Sequence, residues 1–233
     1  MNCSDIQVVI LAGGRGTRLK PLTDNIPKPM MKIGTKPFLE IIIQLLKKNN
    51  FRRFVFLVGH LSNIVTDYFG NGSKFDVEIQ YSFEKELLGT GGSLRNSYDL
   101  LDEKFILLNG DTYMELDYPA FVHYASNKNS MITIVSYDGP KFDYTPYNLR
   151  IDENDFIRDF SQMNIKPEFN AINTGIYYFN KSILNHFPQG KSSLELDLMP
   201  KLIEKNAIAA FRTKEKFYDI GTFNRLQLFR NLS

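Results

Sequence analysis

Residues 10–32 join a short apolar strand to a loop with three glycines within four positions. The apolar run at 8–11 is rich in β-branched residues and shows no polar alternation, which is typical of a strand buried on both faces. Gly13, Gly14 and Gly16 leave the backbone bare, so it accepts positive φ and can turn its N–H groups toward a phosphate. The sequence therefore predicts a buried first strand whose end can form an anion site.

Basic residues accompany this loop. Five lie in it or just after it: Arg15, Arg18, Lys20, Lys28 and Lys32. Fixed positive charge beside a glycine loop suits a polyanion such as a nucleoside triphosphate, although a plain turn with solvated basic residues is the alternative. Pro27 and Pro29 restrict the backbone on both sides of Lys28. This restricted backbone, called the proline mount below, favours a lysine that contacts a phosphate over a lysine that only makes the surface more soluble.

Strand and helix patterns alternate along the first half of the chain. We predict helices at 38–46, 62–69 and 91–101, and strands at 54–58, 77–81 and 105–108. This alternation with short links favours a Rossmann-like α/β fold, with a mostly parallel central sheet and helices on both faces. Since ligands of such sheets bind beyond the carboxyl ends of the strands, the glycine loop and Asp111 fall where a site is expected.

The second half of the chain has a less regular pattern. We predict strands at 131–136 and 172–179, two short strands within 149–160, a helix at 194–203, and a last strand at 217–222 before a final helix. No internal repeat, low-complexity tract or linker divides the sequence. We therefore expect one domain over residues 1–233.

The composition narrows the class of protein. The chain has 233 residues, 43% of them hydrophobic, which is enough for a substantial core. The N-terminus lacks the parts of a signal peptide, no apolar run is long enough to span a bilayer, and Cys3 is the single cysteine. These features predict a cytoplasmic protein with no membrane partner. With a net charge of +2 and no basic cluster interleaved with aromatic residues, nucleic acid is disfavoured as a partner.

The glycine spacing fits neither of two common phosphate motifs. No Gly-Lys-Ser/Thr follows as in a P-loop, and Pro21 prevents the clean helix start of a dinucleotide fingerprint. Residues 11–30 instead resemble the signature of the sugar-1-phosphate nucleotidylyltransferases, Leu-Ala-Gly-Gly-x-Gly-x-Arg-Leu-x-Pro-Leu-Thr followed after a short gap by Pro-Lys-Pro-Met. The resemblance implies a single GT-A-like nucleotidyltransferase domain, with a nucleotide-binding half at about 1–115 and a sugar-phosphate-binding half at about 116–233.

The resemblance also implies a reaction. An oxygen of a sugar 1-phosphate would attack the α-phosphorus of a nucleoside triphosphate and release pyrophosphate, with Mg²⁺ as cofactor. Such transfers depend on positioning and charge neutralisation more than on a covalent nucleophile. Arg18 is then expected to hold the triphosphate, and Lys28 to bridge the α-phosphate and the incoming sugar phosphate. The nucleotide-binding loop would comprise Leu11, Ala12, Gly13, Gly14, Gly16 and Thr17.

Two carboxylates are candidates for holding Mg²⁺. Asp111 follows a buried strand and a glycine, where a carboxylate can bind the metal or simply cap a turn. The resemblance supports the metal role, because the family carries Gly-Asp at this place. It also assigns a second metal carboxylate to Asp219, at the start of an Asp-Ile-Gly-Thr stretch that would otherwise indicate a strand-end turn. The three histidines, His60, His123 and His186, are scattered without metal-ligand spacing, and we expect them to be structural.

Glu84 is the candidate reader of the nucleobase. It precedes the stretch Leu-Gly-Thr-Gly-Gly, and in the family this region wraps the base and ribose, which assigns Glu84, Gly89 and Thr90 to nucleotide binding. An ionised carboxylate only accepts hydrogen bonds. Guanine offers it two donors on one edge, uracil and thymine offer one, and cytosine presents a lone pair. The predicted order is guanine, then uracil or thymine, then cytosine, with a solvated Glu84 as the alternative.

The sugar site matches the family less closely. The candidate sugar ligands are Asn109, Asn148, Asn173 and Glu195. Asn148 stands where the family often has glycine, and residues 159–163 lack the Glu-Lys pair that often precedes the next strand. Residues 173–177 do match that strand, whereas Glu195 either reaches a sugar hydroxyl or is a solvated helix residue. These departures weigh against the common hexose 1-phosphates.

Within the family, the chain resembles the short members that activate heptose 1-phosphate with GTP. The short stretch after Asp219 leaves no room for a β-helix acyltransferase domain, and we expect none. Mannose-1-phosphate guanylyltransferase and N-acetylmuramate-1-phosphate uridylyltransferase are the alternatives within the class. A catalytically inactive nucleotide-binding regulatory subunit is the alternative from another class, although Arg18, Lys28, Asp111 and Asp219 are intact. The expected partners are the two substrates, with a homo-oligomer left open.

Overall fold

The structure is a computed structural model that describes residues 2–140, 142, 145–161 and 165–232. Its strands are β1 Gln7–Leu11, β2 Lys32–Ile33, β3 Lys36–Pro37, β4 Arg53–Val58, β5 Glu78–Phe83, β6 Lys104–Asn109, β7 Thr112–Met114, β8 Ile132–Tyr137, β9 Leu149–Ile151, β10 Ile157–Phe160, β11 Ile172–Asn180, β12 Ile208–Thr213 and β13 Phe217–Asp219. Its α-helices are α1 Phe38–Lys48, α2 Ser62–Phe69, α3 Gly89–Asn96, α4 Tyr118–Asn127, α5 Met199–Glu204 and α6 Phe223–Leu232.

Short helical turns connect several of these elements. 3₁₀ turns lie at Cys3–Asp5, Thr17–Leu19, Lys28–Met30, Ser73–Phe75, Tyr98–Leu100 and Lys181–His186. A π-helical turn, Leu194–Leu198, runs directly into α5. Within the described part of the chain, no helix is both long enough and apolar enough to cross a bilayer.

Seven strands form the central sheet, in the order β12-β8-β11-β6-β1-β4-β5. β1 pairs in parallel with β4 and β6, β4 with β5, and β8 with β12. β11 is the exception, because it runs antiparallel between β6 and β8. The described part of the chain also contains three two-stranded ribbons: β2 with β3, β7 with β13, and β9 with β10. The prediction of a mostly parallel sheet is therefore confirmed.

Helices cover both faces of the sheet. Val8 and Ile10 of β1 pack in one hydrophobic cluster, to which α1, α2, α4 and α6 contribute. Val9, between them, packs in a second cluster with side chains of α3 and α5. All three side chains are fully buried, and burial of such a side chain contributes about 1.5–3 kcal/mol. Because both faces exclude water, the strand carries the continuous apolar pattern seen in the sequence.

Some boundaries differ from the sequence prediction. The helix predicted at 91–101 is α3, which begins two residues earlier, at Gly89, and ends at Asn96 before a 3₁₀ turn. The helix predicted at 194–203 is divided into the π-helical turn and α5. Pro200 lies in the first turn of α5, where a backbone N–H has no helical partner to lose. The sequence patterns give no prediction for β7, α4 and β12, although Asp117 caps α4 by accepting the Ala120 N–H at 2.9 Å.

Candidate active site

The glycine loop lies where the carboxyl ends of three parallel strands meet. β1 ends at Leu11, whose carbonyl accepts the N–H of Gly110 at 2.9 Å, and the N–H of Ala12 donates to the backbone of β4 at 2.9 Å. Gly16 has a φ of +61°, and a Cβ at this position would lie 3.0 Å from the Thr23 side chain. Glycine is therefore needed here both for the left-handed backbone and for the close approach of the next segment.

Two cavities open at this edge of the sheet. The first, of about 280 Å³, is lined by Leu11, Ala12, Gly13, Gly14, Lys28, Pro29, Glu84, Leu87, Gly89, Thr90, Ser93, Asn109, Gly110, Asp111 and Glu195. The second, of about 320 Å³, is lined by Arg18, Asn109, Asp111, Thr112, Thr145, Pro146, Asn148, Phe160, Ile165, Ile172, Asn173, Thr174, Gly175, Tyr177, Glu195, Phe217, Asp219 and Arg225. Asn109, Asp111 and Glu195 line both cavities, which therefore share a wall. Of the predicted nucleotide residues, Gly16 and Thr17 lie in the loop but line neither cavity.

Lys28 reaches the first cavity from a 3₁₀ turn. The turn, Lys28–Met30, begins after Pro27 and contains Pro29, so both prolines fix the backbone around the lysine. Lys28 Nζ lies 2.5 Å from Asp111 Oδ2, and the two side chains are only 17% and 19% exposed. The mount predicted from the sequence thus holds the ammonium group beside the wall that the two cavities share.

Arg18 follows the glycine loop in the 3₁₀ turn Thr17–Leu19. It lines the second cavity and not the first. A Cβ on Gly221 would lie 3.5 Å from an Arg18 nitrogen, so the guanidinium group is close to the segment that carries Asp219. The structure thus brings a second positive charge to the second cavity, while the contact of Arg18 with a triphosphate stays a prediction.

The β7–β13 ribbon brings the backbones of the two predicted metal ligands, Asp111 and Asp219, side by side. Asp219, the last residue of β13, pairs with Thr112, and the Ile220 N–H donates to the Asp111 carbonyl at 3.0 Å. Among the described residues, no cluster of three or more potential side-chain ligands surrounds a common point. Mg²⁺ in nucleotide enzymes is usually held by one or two carboxylates together with substrate phosphates and water, so a pair of aspartates at this cavity fits the metal.

Asp219 has a basic partner that the sequence reasoning missed. Arg225 Nη1 donates to both carboxylate oxygens, at 3.0 and 2.8 Å, and its Nη2 donates to Thr145 Oγ1 at 3.1 Å. Arg225 lies in the first turn of α6, where the helix dipole favours acidic rather than basic residues. The sequence signal for this contact was a basic residue in the first turn of a helix. Such a residue indicates a nearby carboxylate, which offsets its unfavourable interaction with the helix dipole.

Glu84 lines the first cavity and also closes the loop that precedes α3. Ser93 Oγ donates to Glu84 Oε1 at 2.6 Å, and the Leu88 N–H donates to Oε2 at 3.0 Å. A Cβ on Gly13 would lie 3.0 Å from Oε1, so the carboxylate packs against the glycine loop. A carboxylate offers about four lone pairs, and these two bonds use one on each oxygen. Glu84 therefore has a loop-closing role in addition to any contact with a base.

The glycines after Glu84 let a distant segment approach α3. The N–H groups of Gly91 and Gly92 both donate to the Ser192 carbonyl, at 2.9 and 3.2 Å. A Cβ on Gly91 would lie 2.4 Å from the Phe187 ring, and one on Gly89 would lie 2.5 Å from the Ser192 carbonyl oxygen. Larger residues at these positions would therefore push the two segments apart and open the first cavity.

Thr90 and Glu195 connect the same two segments through side chains. Thr90 Oγ1 accepts the Leu194 N–H at 2.8 Å and donates to Glu195 Oε2 at 2.9 Å, and Ser193 Oγ donates to the same oxygen at 3.0 Å. No described residue donates to Oε1 of Glu195. The carboxylate is thus held by one oxygen and has the other available at the wall between the cavities.

The predicted sugar ligands all line the second cavity. Asn148 Oδ1 accepts the Asn173 N–H at 2.8 Å, and Asn173 donates to the Tyr177 hydroxyl at 2.9 Å. Burial, with a smaller contribution from the charge of Glu195, raises the pKa of Tyr177, so its hydroxyl keeps its proton. The asparagines therefore use part of their hydrogen-bonding capacity to shape the cavity.

The segment at 159–163, where the sequence departs from the family pattern, borders the second cavity through Phe160. Asp159 pairs with Lys166 at 2.5 Å, and Gln162 and Met163 lie outside the described residues. The three histidines line neither cavity.

Comparison with known proteins finds relatives along nearly the whole chain. A family model described as nucleotidyl transferase matches residues 7–230. D-glycero-alpha-D-manno-heptose 1-phosphate guanylyltransferase from Campylobacter jejuni is 34% identical over 93% of this chain and 95% of its own length. UTP–glucose-1-phosphate uridylyltransferase from Synechocystis is 33% identical over 93% of this chain, which spans only 60% of that relative's length.

Two solved structures share the fold. HddC from Yersinia pseudotuberculosis complexed with GMP-PN is 32% identical, with a TM-score of 0.82 over 97% of this chain and 99% of that one. A putative glucose-1-phosphate thymidylyltransferase from Bacillus anthracis in complex with a sucrose has a TM-score of 0.84 at 20% identity, over 97% and 94% of the two chains. The second likeness concerns the fold alone. The α/β fold predicted from the sequence is confirmed by both.

Proposed function

We propose that this chain, which belongs to the nucleotidyl transferase family, transfers a nucleoside monophosphate from a nucleoside triphosphate to a sugar 1-phosphate and releases pyrophosphate. The observation that carries the proposal is the pair of cavities that share a wall at Asp111. Such a transfer needs two anionic substrates side by side, because the attacking oxygen must approach the α-phosphorus in line with the leaving group.

The two cavities support the proposal that one half of the chain binds the nucleotide and the other half binds the sugar phosphate. Apart from Glu195, the first cavity is lined by residues up to Asp111, which belong to the nucleotide-binding half at about 1–115. The second cavity takes most of its lining from residues 145–225, within the sugar-phosphate half at about 116–233. In this proposal the base and triphosphate enter the first cavity and the sugar 1-phosphate enters the second.

Lys28 is the proposed cation at the reacting phosphates. Its ammonium group lies beside Asp111, where the α-phosphate and the sugar phosphate would meet. A fixed cation at that point stabilises the negative charge shared by the reacting oxygens, and its proline mount reduces the reorganisation needed during the reaction. Arg18, from the second cavity, would neutralise further phosphate charge through its planar group of donors. The reaction needs no covalent protein intermediate.

Mg²⁺ is the proposed cofactor, held by Asp111 and Asp219 together with oxygens of the triphosphate. When bound, the ion neutralises phosphate charge and orients the leaving pyrophosphate. The protein's part is to aim both carboxylates at the second cavity through the β7–β13 ribbon.

We further propose GTP as the nucleotide donor and a heptose 1-phosphate as the acceptor. Relatives from Campylobacter jejuni and Aneurinibacillus thermoaerophilus carry the name of that guanylyltransferase, and this chain covers 95% and 93% of their lengths. The HddC structure is a complex with GMP-PN. Glu84 adds a physical reason, since its two remaining lone pairs match the two donors on the edge of guanine. Mannose 1-phosphate with GTP and N-acetylmuramate 1-phosphate with UTP are the alternatives.

Pyrophosphate release tests the proposal directly. The purified protein with Mg²⁺ is assayed with GTP, UTP, dTTP and CTP, each combined with heptose, mannose, glucose and N-acetylmuramate 1-phosphates. We expect release with GTP and heptose 1-phosphate, and its loss in the Lys28→Ala variant. Release that is fastest with UTP would refute the guanylyl assignment. No release with any pair would refute the enzymatic function and favour a regulatory subunit.

A further inference from the structure

Arg225, in helix α6, holds Asp219 by both carboxylate oxygens. Its Nη1 lies 3.0 Å from Oδ1 and 2.8 Å from Oδ2, and the Gly221 N–H gives Oδ1 a further bond at 2.8 Å. Thr145 Oγ1 accepts from Nη2 of the same guanidinium group at 3.1 Å. The side chains of Arg225 and Asp219 are only 20% and 15% exposed, so salt screens this pair less than a surface pair.

Asp111 differs from Asp219 in this respect. Lys28 contacts only Oδ2 of Asp111, and no described residue donates to Oδ1. A metal ion can therefore reach Asp111 without displacing a hydrogen bond at Oδ1. At Asp219, in contrast, the guanidinium group of Arg225 already contacts both oxygens, so a metal ion meets a positive charge at either one.

We propose that Arg225 is an internal cation that competes with the divalent metal ion for Asp219 and so lowers the metal affinity of the site. The inference rests on the proposed function, which places the metal between Asp111 and Asp219. Two cations at the same pair of oxygens repel each other at a few ångströms, and in a partly buried place solvent weakens this repulsion only in part. The metal binds only the fraction of molecules in which Arg225 has moved away, and the apparent dissociation constant rises by the reciprocal of that fraction.

The surroundings of Arg225 determine when it leaves Asp219. The residue lies in the first turn of α6, where the positive end of the helix dipole disfavours a cation that has no acidic partner. Arg225 and Arg18 both line the second cavity. A displaced Arg225 therefore stays beside the cavity proposed for the sugar phosphate, where an anionic substrate would replace Asp219 as its partner.

Binding of Mn²⁺ alone, followed by the electron paramagnetic resonance signal of free Mn²⁺, tests the proposal. Arg225→Met removes the charge and keeps an apolar stem of similar length. We expect its dissociation constant for Mn²⁺ to fall about tenfold. This factor applies if Arg225 holds Asp219 in roughly nine of ten wild-type molecules, because the metal then binds only the remaining tenth. Arg230→Met is the matched control, because Arg230 lies on the same helix but donates to the Lys32 carbonyl at 2.9 Å. This control loses the same charge and should bind Mn²⁺ like the wild type.

Three results would overturn the competition. The first is that Arg225→Met binds Mn²⁺ no tighter than the wild type. The second is that Arg230→Met gains as much affinity for Mn²⁺, because net charge would then explain the effect. The third is that the gain in affinity persists when Asp219→Asn is added, because the ion would then bind elsewhere. Circular dichroism and melting temperature establish that each variant is folded. If Arg225→Met does not fold, Arg225→Gln takes its place with the same expectation, because an amide can donate to Asp219 but carries no charge.

This experiment uses neither nucleotide nor sugar phosphate, so it separates the inference from the proposed function. A protein that transfers no nucleotide but shows the expected Mn²⁺ pattern would refute the function and keep the role of Arg225. An active enzyme whose Mn²⁺ affinity does not depend on Arg225 would keep the function and refute the competition.

Discussion

Replacing Glu84 with glutamine should reduce the preference for GTP while leaving the fold intact. Ser93 and Leu88 each use one lone pair of the carboxylate, on different oxygens. About two of its four lone pairs then remain, one on each oxygen, which equals the number of donors on the N1–H and 2-amino edge of guanine. The loop contacts thus leave Glu84 with the two hydrogen-bond acceptor sites that guanine requires.

Glutamine changes one of these oxygens into an NH₂ group. The remaining oxygen can accept the Leu88 N–H, and the NH₂ group can donate to the Ser93 hydroxyl, so both loop contacts are kept. Guanine, however, loses one acceptor and meets a donor in its place. A hydrogen bond to a charged group contributes about 1.5–3 kcal/mol, so kcat/KM for GTP should fall roughly 10- to 150-fold. UTP needs a single acceptor and should lose less.

The assay is steady-state kcat/KM for GTP, UTP, dTTP and CTP with one sugar 1-phosphate, in the wild type and in Glu84→Gln. Glu84→Ala serves as the comparison for stability, because it removes both loop contacts. We expect a lower melting temperature for Glu84→Ala and an unchanged one for Glu84→Gln, which separates loop closure from base reading.

Two results would refute this reasoning. A wild-type preference for CTP would mean that the carboxylate does not face the Watson–Crick edge of the base. An unchanged ratio of GTP to UTP in a folded Glu84→Gln enzyme would restrict Glu84 to closing the loop. Either result would remove the physical argument for guanine.

Three further predictions concern the metal, the lysine and the glycines. Asp111→Asn and Asp219→Asn should each lower turnover by about 10²-fold or more at saturating Mg²⁺, because the metal stabilises much of the transition-state charge; turnover near that of the wild type would remove the residue from the metal site. Lys28→Ala should lower kcat by about 10²- to 10³-fold, and turnover near that of the wild type would show that Lys28 acts only through its ion pair with Asp111. Gly91→Ala should lower the free energy of unfolding by about 1–3 kcal/mol, because its Cβ would lie 2.4 Å from an aromatic ring, whereas Gly14→Ala meets nothing within 4 Å and is the control. Urea unfolding compares the two glycine variants, and equal losses would contradict the packing argument.

The sheet was the part of the fold that the sequence predicted best. The strands predicted at 54–58 and 105–108 correspond to β4 and β6 within a few residues. Both are buried on two faces, so all residues at 54–58 and 105–108 are apolar and the pattern is unambiguous. β7 spans three residues at the site's edge, which is too short for any periodicity to emerge. The helix predicted at 194–203 corresponds to the helical stretch from Leu194 to Glu204, but its first five residues form a π-helical turn, which hydrophobic spacing does not distinguish from an α-helix.

The sequence predicted those residues of the candidate site that lie in recognisable motifs. The glycine loop and Lys28 lie within a long continuous signature, Asp111 belongs to a separate Gly-Asp pair, and the structure places all three around one cavity. Arg225 lies outside any such signature, and its contact with Asp219 depends on how α6 is rotated against β13. The hydrogen bonds of Glu84 to the loop were equally hidden, because they join residues four and nine positions apart in an irregular segment.

The wall that both cavities share has a thermodynamic consequence. A ligand in either cavity that shifts Asn109, Asp111 or Glu195 changes the free energy with which the other ligand binds. Linkage requires this coupling to be reciprocal: if the sugar phosphate tightens nucleotide binding by some factor, the nucleotide tightens sugar-phosphate binding by the same factor. A coupling factor above one makes the complex with both substrates more populated than independent binding would, with no need for a separate gating element.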